Sequence, residues 1–277
     1  MTTLSSRAML ITLNIHQWTA RKFDKRATRE VEQHHLAKDA GRFNKILIDP
    51  SALRGINRYA TALRDKHYAM TLPWGDNGDR LLPAELYLDF QTELRELVDH
   101  FDAAVRAFVI NYPDYMQQGR LRLGSLYDPK DYPAPGDVSK RFYCEMAFSL
   151  VPDVKDFRVD VGDAAAAQIR ADITRTVEQR QQAAMDDALL RAKEVITRVR
   201  DRVTAEKVII HDSLTESVAE LIRVLPAFNL TNDPRVGEVV DALNNMTVSA
   251  QGLRNSGRSR EAVAVAADDI LRRMGWA

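Results

Sequence analysis

Six histidines, His16, His34, His35, His67, His100 and His211, are the residues of this chain best suited to metal binding or proton transfer, because imidazole titrates near neutrality and ligates zinc. Their spacing gathers no site. The adjacent pair His34-His35 falls in a stretch that reads as helix, where neighbours point about 100° apart and cannot both face one ion. Two carboxylate pairs, Asp76/Asp79 and Asp268/Asp269, could serve as acid and base or hold a hard cation. The first sits in the turn Gly75-Asp76-Asn77-Gly78-Asp79, which lacks the spacing and terminal bidentate Glu of a calcium loop, and the second reads as a solvated helix face. Cys144 is the single cysteine, which leaves no intrachain disulfide and suits a reducing cytoplasm. No glycine-rich phosphate loop, Gly-x-Ser-x-Gly elbow or His-Glu-x-x-His helix occurs. The expectation is a protein without catalytic residues, metal or cofactor, and so not an enzyme.

Recognition chemistry is better represented. Arg21, Lys22, Lys25, Arg26 and Arg29 follow Trp18 in a polar stretch, residues 17–40, that reads as one helix with its cations on one side. A row of cations beside an indole could hold the phosphates of single-stranded nucleic acid while a base stacks. The competing uses are a solvated face or pairing with the acidic middle of the chain. Residues 1–60 hold eleven Lys/Arg against five Asp/Glu, and residues 61–162 hold twelve against seventeen. The whole chain carries thirty-nine of each sign, which argues against a generic nucleic-acid or membrane binder.

The second set is apolar. Residues 163–225 contain neither proline nor glycine, and Ile169, Ile173, Val177, Met185, Leu189, Ile196 and Val199, with alanines between them, recur at steps of three and four. A narrow seam half made of alanine suits close packing against one other helix. At about 1.5 Å per residue the stretch to Val203 is roughly 60 Å long, which implies a helix that projects or meets another subunit. Near residues 204–212 the pattern blurs, and Ser213-Leu214-Thr215-Glu216 reads as a capping box that opens a returning arm ending by Pro226. A helical hairpin is expected, with a continuous rod as the alternative. In the hairpin, residues 169–189 are left unpaired as the docking surface for a homo-oligomer or another protein.

The elements that must carry these residues follow in order. A strand at 8–15 precedes the basic stretch; a helix at 51–66 leads to a strand at 68–74 that returns through the Asn77-Gly78 turn to 80–83. A helix from 83 to about 111 presents Leu86, Phe90, Leu94, Phe101, Val105 and Phe108 to a core. Residues 112–136, broken by Pro113, Pro129, Pro133 and Pro135, form a tyrosine-rich loop. Strands at 141–151 and 157–161 complete the sheet. Asp233-Pro234 caps a helix to about 248, and a last helix begins at Ser259. The fold class is α+β and mainly α: a small antiparallel sheet base (1–162) with a long projecting helix or helical hairpin and a C-terminal helical segment (163–277). The start Met-Thr-Thr-Leu-Ser-Ser-Arg lacks the pattern of a secretion signal, and no window is apolar enough to span a membrane, so a cytoplasmic protein with no membrane partner is expected.

Taken together, the N-terminal strand followed by Trp18 and the basic stretch, the strands between Phe142 and Val161, the long helix, Asp212-Ser213-Leu214, the run Leu225-Pro226-Ala227-Phe228-Asn229-Leu230-Thr231-Asn232-Asp233-Pro234 and the closing helix from Ala266 to Met274 resemble an uncharacterised family of phage and mobile-element proteins. Members of that family are often encoded near a MoxR-like ATPase and a von Willebrand A-type protein. The resemblance implies an accessory or adaptor role, with an ATPase among the candidate partners and the host cytoplasm as the location. It brings no catalytic residues.

Overall fold

The structure, a computed structural model, describes residues 3–75 and 77–276; Asp76, one half of the acid pair in the turn, lies outside the described residues. In chain order the elements are β1 (Ala8–His16), β2 (Arg21–Phe23), α1 (Lys25–His34), β3 (Asn44–Ile46), α2 (Arg54–Ala69), β4 (Leu72–Pro73), β5 (Arg80–Pro83), α3 (Tyr87–Leu123), β6 (Tyr143–Ser149), α4 (Asp163–Thr204), α5 (Asp212–Phe228), α6 (Pro234–Asn245), α7 (Ala250–Asn255) and α8 (Gly257–Arg273). With 66% helix against 10% strand, the fold is α+β and mainly helical. A small antiparallel sheet has the order β4-β5-β1-β6, and β2 and β3 pair separately. Two compact units divide the chain: residues 1–12, 68–90 and 147–277 form the first, and residues 13–67 and 91–146 the second. Residues 163–277 thus belong wholly to the first unit, whereas residues 1–162 are shared between both.

In the first unit β1 lies antiparallel to β5, with Ala8 opposite Pro83 and Ile11 opposite Arg80. The 42-residue α4 buries Ala184, Met185, Ala188, Leu189, Ala192, Ile196, Val199 and Val203. It packs most extensively on α8, whose Val263, Ala267, Ile270 and Leu271 are buried. Alanine on both helices lets the backbones approach closely. After residues 205–211 the chain returns as α5, and Val199 of one arm shares a small cavity with Leu214 and Val218 of the other, so the hairpin is the arrangement adopted. The cap expected at Asp233 is present: its carboxylate accepts from the Arg235 amide at the head of α6. The last helix starts two residues before the expected Ser259, at Gly257, because the Ser256 hydroxyl accepts from the Ser259 amide and caps it.

In the second unit α2 and α3 run antiparallel. Tyr59 stacks on His100 with centroids 5.2 Å apart, Lys66 reaches Glu93 at 2.7 Å, and a Cβ on Gly55 would meet that of Ala104 at 3.7 Å. Farther along α3, Phe108, Tyr112 and Tyr115 cluster with Phe142. Tyr132, buried, donates its hydroxyl to the Leu47 carbonyl at 2.9 Å. This bond demands glycine at 119, because an added Cβ would lie 2.5 Å from the Tyr132 hydroxyl and 2.6 Å from the Leu47 carbonyl oxygen. Gly119→Ala is therefore expected to cost roughly 2 kcal/mol; an unchanged thermal midpoint would show that the neighbours yield freely.

Several expected boundaries differ, each for a physical reason. Residues 17–40 are not one helix. The buried Ala20 takes a left-handed φ of 51°, its carbonyl accepts from the Leu47 amide at 2.8 Å, and Asp24 caps a new helix by accepting from the amides of Arg26 and Ala27. The expected strand at 68–74 is reduced to Leu72–Pro73 because α2 runs on to Ala69. The tyrosine-rich loop begins late: α3 continues through Pro113 to Leu123, the lost backbone bond being offset by the buried Phe108 and Tyr112 on either side of the helix's Asn111. Residues 157–161 join no ladder. The α5 helix starts at Asp212, with no side-chain cap from His211. Its first turn is fastened by Arg254, which donates to the Ile210 carbonyl at 2.8 Å and the Asp212 carboxylate at 2.6 Å, so Ser213 and Glu216 form no capping box. Pro226 sits inside the last turn of α5 and does not end it.

Candidate functional site

The expected docking stripe on α4 divides into a buried set and a partly exposed set. At 3.6 residues per turn Ile196 falls about half a turn from Ile169, whereas Val199 returns to the side of Val177, so position along the helix as well as direction separates the two sets. Met185, Leu189, Ile196 and Val199 form the buried core face; they are packing residues and not a surface, which corrects their assignment as partner-binding positions. Ile169, Ile173 and Val177 remain partly exposed. With Pro152 they line a cavity of about 270 Å³, edged by Asp172 and Arg180. The Arg180 guanidinium lies 5.8 Å from the Trp74 ring centroid. Before this helix in sequence, Phe148, Leu150, Val159 and Val161 stand exposed, Leu150 at 79% and Val159 at 62%. The sequence signal for this second patch was present in 157–161, but a strand reading assigned those residues to a sheet.

In the second unit the five cations do not form one helical row. Arg21 and Lys22 lie on β2, and Lys25, Arg26 and Arg29 on α1. Arg26 pairs with Glu30 at 2.8 Å; Arg21, Lys22, Lys25 and Arg29 are exposed and have no ion-pair partner among the described residues. Trp18 is not the free aromatic of the group, since it is partly buried with its ring edge-on to Tyr112 at 6.0 Å. Phe23 and Phe43 are exposed in its place, and the Arg42 guanidinium lies 6.0 Å over the Phe23 ring.

Beneath these residues a cleft of about 520 Å³ is lined by Phe23, Tyr127, Lys45, Asp24 and Asp131, among others. Lys45 is buried: its ammonium lies 3.1 Å from Asp24 and 2.5 Å from Asp131 and donates to the Leu126 carbonyl at 3.1 Å. Burial alone would lower the Lys45 pKa, but the hydrogen bonds to Asp131 and Asp24 outweigh it and raise it above the ordinary lysine value. The Asp24 carboxyl is held below the usual range, first by the Ala27 amide and then by Lys45. One carboxylate thus caps α1 and anchors β3.

No family model, curated protein or solved structure matches this chain.

Several of the other residues singled out for chemistry are engaged locally. His16 stacks on Tyr143 with centroids 4.9 Å apart, and His211 precedes α5. Asp79 accepts from the Thr12 hydroxyl at 2.6 Å. Asp268 and Asp269 face Arg200 at 3.7 Å and Arg273 at 3.0 Å. Burial, with Asp102 nearby, pushes the Cys144 thiol up to about 11, away from thiolate reactivity at neutral pH. Among the described residues no three His, Cys, Asp or Glu side chains gather as metal ligands do, and no helix is long and apolar enough to cross a membrane.

Proposed function

We propose that this chain is a non-enzymatic accessory or assembly protein of the phage type that acts by binding protein, and that its docking surface is the first half of α4 together with residues 148–161. The observation that supports this reading is the apolar surface left in water there: Ile169, Ile173 and Val177 beside Pro152, with Leu150 and Val159 exposed. Exposed apolar surface of this kind marks interaction sites, because solvating it costs free energy that a partner recovers. The occupant we assign is a second copy of the chain. Asp163, Arg170, Asp172, Arg175, Glu178 and Arg180 alternate in sign along the helix, so like chains meet without the repulsion that a one-signed flank would impose. The place of action in this reading is the cytoplasm, that of the host for a phage-encoded protein, and an ATPase of the neighbourhood that the family resemblance implies is the partner to try if copies do not associate.

Light scattering of the purified protein across micromolar concentrations tests the assignment. A mass above the monomer is expected, and Ile173→Asp is expected to return it to the monomer with an unchanged circular dichroism spectrum, since Ile173 is only partly buried. A strict monomer at high micromolar concentration, or Ile173→Asp assembling as the parent does, would remove the self-association.

A further inference from the structure

We propose that the second unit carries an independent site for single-stranded nucleic acid, formed by β2, the first turns of α1 and the residues leading into β3, with Phe23 as the stacking platform. The argument begins with charge. Arg21, Lys22, Lys25 and Arg29 are exposed cations with no ion-pair partner among the described residues, concentrated in nine residues of a chain whose net charge is zero. Cations left unneutralised in this way are the electrostatic footprint that phosphates satisfy. The second observation is aromatic. Phe23 lies between Lys22 and Lys25 in sequence at 46% exposure, and the adjoining Arg42 and Phe43 bring a guanidinium 6.0 Å over the Phe23 ring and a second exposed aromatic. A base has the flat face to take or share the position over Phe23 that Arg42 now holds, and stacking of that kind tolerates any base.

Geometry also says where the phosphates do not go. The amides at the head of α1 are already taken by Asp24, so this helix start is closed to an anion. Asp24 and Asp131, gripped by Lys45, put carboxylates on the floor of the cleft. The backbone therefore runs outside, over Arg21, Lys22, Lys25 and Arg29, while a base turns toward the cleft that Phe23 and Tyr127 line together with the acidic Asp24, Glu30, Asp128 and Asp131. Bases stacked within a duplex present no free face, which selects single strands over duplex.

Fluorescence anisotropy with labelled oligo(dT) and oligo(U), the same oligo(dT) annealed to oligo(dA), and phosphatidylserine vesicles tests this on the full chain. Binding to one or both single strands is expected at low salt, with log affinity falling by about 0.7 per phosphate contact for each unit of log salt. Phe23→Ala is expected to weaken it about tenfold, and Lys25→Gln and Arg29→Gln to flatten the salt slope by about 0.7 each; all three side chains are exposed, so the fold should be retained. Absence of binding to both single strands at low salt would overturn the proposal. So would tighter binding to the duplex, capture by vesicles without capture by oligonucleotide, or affinity indifferent to Phe23→Ala. Because the residues belong to the second unit alone, none of these outcomes depends on the docking surface assigned to α4.

Discussion

Ile196→Asp should unfold the first unit, where Ile173→Asp, twenty-three residues earlier on the same helix, should leave it folded. Ile196 is 0% exposed in the face that α4 turns toward its neighbouring helices, of which α8 makes the most extensive contact. A carboxylate placed there has no partner, and the cost of burying it, about 5 kcal/mol or more, approaches the whole stability of an ordinary domain. Ile196→Ala, which removes apolar volume without adding charge, is expected to cost about 3 kcal/mol and still fold. Urea denaturation followed by circular dichroism separates the three variants. If Ile196→Asp melts as the parent does, the buried face of α4 has been assigned to the wrong side. The same experiment distinguishes assembly from folding: loss of self-association in Ile196→Asp would follow from unfolding, whereas in Ile173→Asp it would report the surface itself.

Lys45→Met should destabilise the second unit by roughly 3 kcal/mol, because it leaves Asp24 and Asp131 facing each other's charge under partial burial with nothing between them. The cleft above them admits water, which keeps the figure toward the lower end of what a broken buried ion pair costs. Its pH dependence is distinctive. The Asp24 pKa is lowered on folding, so its contribution is complete above the ordinary carboxylate value near pH 4 and is lost as pH falls through the lower folded value. The Lys45 pKa is raised on folding, so its contribution is complete below the ordinary lysine value near 10.5 and is lost only as pH rises through the higher folded value. The stability difference between parent and Lys45→Met should accordingly hold level from about pH 5 to 9 and shrink on acidification below about pH 4. A difference that stays constant into strong acid would assign the loss to packing and not to the ion cluster.

The sequence by itself determined the elements whose causes lie within a few residues. The run from 163 to 204 has no glycine or proline to stop it and becomes α4; the strand-like run at 8–15 becomes β1; Asp233-Pro234 starts α6, and the blurred pattern after Val203 is a turn between antiparallel arms. Even the two candidate surfaces were legible as residue types, cations near Trp18 and isoleucines along the long helix. Tertiary structure decided which of those side chains are available. Ala20 turns left-handed in company with a hydrogen bond from Leu47, and this divides the basic stretch into strand and helix and leaves Phe23, not Trp18, in water. Lys45 joins Asp24 to Asp131, residues far apart in sequence, so no spacing rule could find the cluster. On α4 the periodicity that marks an apolar face is the same for core and docking surface. Only the position of the helices packed around α4 buries Ile196 and leaves Ile173 partly exposed, because periodicity is a local property of the chain and burial depends on what stands opposite.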